Sequence, residues 1–334
     1  MNTSPLPPDL RYVLAGSFDP ALCEYPPSDY ATLVDAAAGA YGVDVDEILP
    51  TAGADEALDL TARAFVREGS VAVAAVPTYA MYRIVTEQRG ATFRSVPRLS
   101  AEDGFGLDIP ALVTASRGAD LVWLCEPNNP TGACEPPERI AELLDLLAAE
   151  AERDGRPAPA VVVDEAYAEF VGRSVLPLRN RYQRLIVIRT LSKAHALAGA
   201  RVGFAVAQPE TLAPIVSFRA PASVSTVSAA LATASLTRPE LAAANVARLT
   251  EQRARLIAEL SALGWRPYPS QVNFILFHFS SPVAAEAAGE SLLRRGLVPR
   301  SFGSDHPLAD CLRLTVRSAS ENDRLIEAAR EIPA

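Results

Sequence analysis

Lysine is almost absent from this chain: of its 31 basic residues only Lys193 is a lysine, and the rest are arginine. Histidine is scarce too, with three residues, His195, His278 and His306, that show no ligand spacing among themselves or with cysteine, so no metal site is expected. His278 sits inside the apolar run VNFILFHF and is expected to be a packed strand residue. The four cysteines, Cys23, Cys125, Cys134 and Cys311, are scattered without a CxxC pair. That pattern argues against a disulfide framework and suits reduced thiols in the cytoplasm. No apolar run approaches a membrane span, and the opening MNTSPLPPDLRYVLAG lacks a basic segment followed by an apolar one, so neither membrane insertion nor secretion is expected. A net charge of −9 without any basic run argues against a nucleic-acid partner.

A GC-rich coding sequence accounts for the surplus of arginine, but not for the one lysine retained. Arginine replaces lysine as a surface charge, yet its guanidinium stays protonated and is a poor nucleophile. A desolvated lysine amine loses its proton and attacks carbonyl carbon. Lys193 is therefore expected to do chemistry.

The length of 334 residues suits one large domain and a smaller one. Between about residues 50 and 220, the short Val/Ile-rich runs VAVAAV, ADLVWLCEP, AVVVDEAY, RLIVIRT and VGFAVA alternate with amphipathic stretches such as PPERIAELLDLLAAEAER. Continuous apolar runs of that length fit strands buried on both faces, so an α/β fold with a mainly parallel central sheet flanked by helices is expected. A long helical pattern over residues 238–264 then leads to QVNFILFHF, a helix, CLRLTVR and a last helix, which reads as a smaller α/β domain. The boundaries expected are 25–235 for the large domain, with 1–24 and 236–334 forming the small one.

Ligands of such sheets bind beyond the carboxyl ends of the strands, where the unusual residues of this chain fall. CEPNNPTG places Asn129 after one strand, VVVDEAYAEF places Asp164 and Tyr167 at the end of a second, and TLSK places Thr190, Ser192 and Lys193 past a third, with Arg201 eight residues further. A lysine, a carboxylate, an asparagine, a tyrosine and a hydroxyl/arginine cluster are together what pyridoxal phosphate needs. The lysine forms the Schiff base, the aspartate keeps the pyridine nitrogen protonated, and hydroxyls, arginine and helix-start amides hold the phosphate. TAGADEALDL offers those amides, and Tyr79 in VPTYAMY offers a ring to lie on the pyridine. Singly, each of these residues is as well explained by helix capping or ion pairing. The ordered set is not.

In this order, PNNPTG, DEAY, TLSKAHALAGARVGF, GADEALDL, PTYAMY, VNFILF and CLRLTV resemble the fold-type I pyridoxal-phosphate-dependent aminotransferases, most of all the histidinol-phosphate aminotransferase branch. The resemblance runs from about Tyr25 to the end of the chain. It implies that Lys193 is the Schiff-base lysine and shuttles the substrate α-proton, with Asp164 on the pyridine nitrogen. It gives Asn129 and Tyr167 the ring hydroxyl, Tyr79 the ring face, and Ser192, Arg201, Thr190 and the amides of Ala54 and Asp55 the phosphate. Tyr25, in EYPP, would reach the phosphate from the neighbouring subunit of a homodimer. Arg313 would take the substrate's carboxylate or equivalent polar end, beside Arg300 and Asn129.

The chain departs from the branch's pattern on the substrate side. LAGSFDPALCEYPP replaces an NENP-like motif and helix before the tyrosine, His195 replaces a phenylalanine, and TVRSAS replaces a TVGT-like ending. The small-molecule partners implied are an amino donor and a keto-acid acceptor, with the donor open among aromatic, basic and phosphorylated amines. Decarboxylation of an amino-acid phosphate, or oxidation, on the same fold is the alternative chemistry, and a cofactor-binding regulator the non-enzymatic one.

Overall fold

The computed structural model describes residues 23–333. The altered arm motif, and all but Cys23 and Glu24 of the segment 1–24 assigned to the small domain, lie outside the described residues. The chain runs α1 (Ala31–Tyr41), β1 (Ile48–Thr51), α2 (Ala54–Phe65), β2 (Val71–Val76), α3 (Met81–Glu87), β3 (Thr92–Pro97), α4 (Ile109–Ala115), β4 (Leu121–Cys125), α5 (Pro137–Arg153) and β5 (Ala160–Asp164). It continues through a one-turn α6 (Ala168–Val171), β6 (Leu185–Thr190), β7 (Gly203–Val206), α7 (Pro209–Val216), α8 (Thr226–Leu236) and the long α9 (Pro239–Ala262). The last elements are β8 (Arg266–Pro267), β9 (Phe274–His278), α10 (Pro282–Arg294), β10 (Cys311–Thr315) and α11 (Ala319–Ala329).

A seven-stranded sheet, in the order β1-β7-β6-β5-β4-β2-β3, forms the centre. The pairs from β6 across to β3 are parallel, while β7 is antiparallel to both of its neighbours, so β1 runs with the parallel set. The all-apolar strands are buried on both faces because helices cover both. Val73, Val122, Val163 and Val187 face one layer, which includes Ile140, Leu143 and Leu147 of α5. Ala74, Trp123, Val162 and Ile188 face the other, which includes Leu58 of α2, Tyr82 of α3 and Ile215 of α7. Two strands of this sheet escaped the sequence reading for physical reasons. β3 is an edge strand with only Val96 buried, and β1 is a four-residue edge strand interrupted by Pro50.

The carboxyl-terminal part forms the antiparallel sheet β10-β9-β8, covered by α9, α10 and α11. Helix starts here follow their sequence signals: Ser281 caps α10 through Ala284 N–H at 3.2 Å, and Ser318 with Glu321 forms a capping box on α11. The core of this layer takes in Tyr167 and Ala194 from the central sheet's carboxyl edge, with Tyr167 packed edge-on against Phe274. Among the described residues no helix is long and apolar enough to cross a membrane.

Close approach of backbone fixes one glycine. A Cβ on Gly203, at the start of β7, would lie 2.6 Å from both Gly53 C and Ala54 N, where β1 turns into α2. Neither partner is a side chain that can swing away. Gly203→Ala is expected to cost about 1–3 kcal/mol by overpacking and to displace the first amides of α2. Urea unfolding would measure the first effect and pyridoxal-phosphate titration the second.

Candidate active site

The parallel strands deliver their carboxyl ends to one edge, and the predicted residues meet there. A cavity of about 290 Å³ is lined by Ala54, Asp55, Tyr79, Asn129, Asp164, Tyr167, Thr190, Ser192, Lys193 and Arg201, together with Cys125, Ala166 and Ala198. A second cavity, of about 420 Å³, opens beside it and shares Tyr79, Asn129, Tyr167 and Lys193. Arg300, Arg313, Phe302 and His306 complete its wall.

Asp164 ends β5 with only 3% of its surface exposed. Burial pushes its carboxyl up to about 6, while Tyr82 O–H at 2.9 Å, Ala166 N–H at 3.1 Å and the Lys193 ammonium pull the other way. Tyr82 was not singled out from sequence, although it lies three residues after Tyr79, one helical turn on at the start of α3. Its ring is fully buried and stacks on Trp123 at 5.5 Å, so the donor has a fixed direction.

Lys193 follows β6 in a loop pinned from below by α8 and α9. Asn245 Nδ2–H donates to Ala194 O at 2.7 Å, and His195 Nδ1 lies 2.7 Å from Ser235 Oγ. His195 is thus a buried packing residue, its basicity lowered chiefly by desolvation. The Lys193 amine is held below the ordinary lysine range by burial first and by Arg313 second, against the pull of Asp164 and Asp55. Its Nζ lies 5.7 Å from the centre of the Tyr167 ring.

At the far end of the smaller cavity α2 begins without a side-chain cap, at Gly53 with φ of 86°. A side chain there would collide with Arg201, whose Cζ lies 2.9 Å from where a Cβ would stand. Arg201 takes a left-handed backbone, φ 52°, and donates to Asp55 Oδ2 at 3.3 Å and Ala198 O at 3.2 Å. Tyr79 O–H donates to Asp55 Oδ1 at 3.0 Å, and Thr190 Oγ1 donates to Ser192 Oγ at 3.0 Å. Uncapped amides, a hydroxyl and a guanidinium suit a dianion, and a buried carboxyl suits a ring N–H⁺. With an amine between them, this donor set fits pyridoxal phosphate.

On the open side Arg313, in β10, donates through Nη1 to Asn129 Oδ1. Arg300 and Arg313 are bridged through their backbones, each N–H 2.9 Å from the other's carbonyl, so the two guanidinium-bearing residues move as one unit. Tyr25 is not brought to this site. It is 91% exposed and borders a separate surface depression with Ala222 and Thr226.

Residues 17–329 match the family of aminotransferase class I and II. The chain belongs to that family. It is 38% identical over 318 residues to a histidinol-phosphate aminotransferase from Xylella fastidiosa (strain 9a5c), covering 93% of this chain and 84% of the relative. The solved histidinol-phosphate aminotransferase from Sinorhizobium meliloti, in complex with pyridoxal-5'-phosphate, superposes with a TM-score of 0.89 at 26% identity, over 99% of this chain and 89% of that one. L-threonine-O-3-phosphate decarboxylase from Porphyromonas gingivalis shares the fold alone, at 23% identity and a TM-score of 0.78 over 98% of each chain. As a member of the family the chain is a pyridoxal-phosphate-dependent aminotransferase of the fold-type I class, as its motifs led one to expect.

Protonation of Asp164 would remove the charge with which it can hold a cationic ring nitrogen. Cofactor affinity is therefore expected to hold above about pH 6 and to fall about tenfold per pH unit below it. Tyr82→Phe deletes a bond that lowers this carboxyl's affinity for a proton, so the fall should begin about one pH unit higher and cost about twofold at pH 7. Fluorescence titration of the apoprotein from pH 5 to 8 reads both effects.

Proposed function

We propose that this aminotransferase takes the amino group from a phosphorylated amine of the histidinol phosphate type and passes it to a 2-oxo acid. One observation carries the reading: Arg300 and Arg313 stand together in the cavity that opens on Lys193, at the end away from α2. Two guanidinium groups suit a substrate with a strongly anionic tail, and a dicarboxylic 2-oxo acid can use the same pair in the second half of the cycle. The similarity to histidinol-phosphate aminotransferases supports the choice of amine.

When bound, pyridoxal phosphate supplies an electron sink and a carrier for the amino group. On this reading Asp164 holds the ring nitrogen, Asn129 and Tyr167 the ring hydroxyl, and Tyr79 the ring face. Ser192, Arg201 and the amides of Ala54 and Asp55 hold the phosphate, with Thr190 aligning Ser192. Lys193 Nζ would hold the cofactor and, when free, would move the substrate α-proton. Its lowered basicity leaves a larger neutral fraction for that step. Arg313 and Arg300 orient the anionic end, with Asn129 positioning Arg313.

The reading extends to a two-domain chain divided near residue 235 and to a cytoplasmic homodimer in which the partner subunit's Tyr25 completes the phosphate site. The exposure of Tyr25 supports this, since a side chain turned to solvent in one subunit is available to another.

Two experiments test these points. Spectroscopic half-reactions with histidinol phosphate, arginine, glutamate and aromatic amino acids should show the visible cofactor band converted by histidinol phosphate and glutamate, followed by ping-pong steady-state kinetics. Lys193→Ala should lose more than a thousandfold in rate, and carbon dioxide release from a carboxylated donor without formation of a keto acid would replace transfer by decarboxylation. Mixing inactive Lys193→Ala with Tyr25→Phe should create hybrids carrying one native site, so activity above that of either parent is expected. No recovery would place Tyr25 outside the partner's site.

A further inference from the structure

The segment between α10 and β10 carries an aromatic pair that the sequence motifs do not single out. Phe302 and His306 stack at 4.8 Å with 23° between their planes, and the Arg300 guanidinium carbon lies 6.0 Å from the Phe302 ring centre. Guanidinium, phenyl and imidazole therefore form a ladder along one wall of the substrate cavity. The loop is anchored on both sides of His306. Phe302 packs on a small apolar cluster with Phe105, Leu276, Leu308 and Cys311, and Leu308 is itself buried. A tight turn, His306 N–H to Gly303 O at 2.9 Å, closes the loop between them.

The same geometry fixes the tautomer of the imidazole. Leu308 N–H lies 3.1 Å from His306 Nδ1, so Nδ1 is the acceptor and the proton of the neutral ring sits on Nε2. Burial and the Arg300 charge both favour this neutral form. Since backbone occupies Nδ1, the ring has one donor left, Nε2–H, on a residue that lines the cavity with Arg300 and Arg313.

We propose that His306 is a specificity residue, donating Nε2–H to the anionic end of the amine substrate beside Arg300, with Phe302 holding its ring in place. The proposal rests on the reading that an anionic amine occupies this cavity. A neutral donor next to two fixed cations gives phosphate, with three terminal oxygens, one more contact than a carboxylate can use fully. His306 should therefore favour a phosphorylated donor over a dicarboxylic one.

The test is the half-reaction of the holoenzyme with histidinol phosphate and, separately, with glutamate, comparing the native chain with His306→Phe and His306→Gln. His306→Phe keeps the stack and loses the donor, and should raise the half-saturating concentration of histidinol phosphate about tenfold with the maximal rate within twofold. Glutamate should be affected less. His306→Gln, which keeps an N–H donor, should recover most of the loss, and the cofactor spectrum should be the same in all three. Unchanged half-saturation for both amines in His306→Phe overturns the proposal, as does a loss of rate without a change in saturation. If the native enzyme does not convert histidinol phosphate, the substrate reading falls. The glutamate arm then decides His306 alone: weaker saturation by glutamate in His306→Phe upholds the contact, and no change ends it.

Discussion

One carboxyl group buried at the end of a strand is the constraint around which this site is assembled. Asp164 is where water has been excluded and a charge is nonetheless wanted, a combination that is unfavourable until other groups compensate it. The compensation reaches three layers deep. Tyr82 donates to the carboxylate, Trp123 stacks on Tyr82, and Trp123 Nε1–H is itself held by Thr86 Oγ1 at 3.1 Å. None of these partners can rotate freely, so the carboxylate is oriented before any ligand arrives. The low solvation that raises Asp164 also lowers Lys193, and the two groups acquire opposite shifts from a single cause.

Three arginines form a different pattern of buried pairs, two of them at this edge and one at the amino ends of the strands. Arg189 pairs with Glu165 at 2.8 Å and Glu169 at 2.7 Å, binding the residue after Asp164 to β6, the strand that leads to Lys193. Arg98 and Glu126 form a second buried pair at 3.2 Å directly behind the asparagine turn, and Glu126 also accepts Glu135 N–H at 2.9 Å. Arg179 grips Glu47 with both Nε and Nη2, next to β1. A planar fork with several donors serves such pairs better than an ammonium does. At these three positions arginine builds the frame around the one side-chain amine.

How far the sequence foretold this depended on the kind of signal. The five Val/Ile-rich runs were legible because burial on both faces demands apolar residues at every position, and each of them is a strand of the central sheet. β3 was not, since an edge strand with exposed Thr92, Ser95 and Pro97 carries no such pattern. Lys193, Asp164, Asn129 and Arg201 could be singled out because each ends, closely follows or closely precedes a readable strand. Tyr82 could not, because its role depends on α3 folding back across the strand ends. His306 and Phe302 were invisible for a similar reason: their stacking comes from a loop closing on itself between a helix and a strand. The exposure of Tyr25 was beyond reach as well, as no local pattern tells how far a single tyrosine is turned to solvent.

A chain with one lysine has one side-chain amine. Apart from the α-amine at its start, every reagent that acylates, reductively alkylates or cross-links amines has a single target here, and that target lines the cofactor cavity. Labelling becomes a measure of site occupancy, since a ligand in the cavity shields the one side-chain amine. Immobilisation through surface lysines, the ordinary way to fix a protein to a support, has no handle on this one. The economy that left arginine everywhere else has placed the protein's one side-chain amine in this cavity.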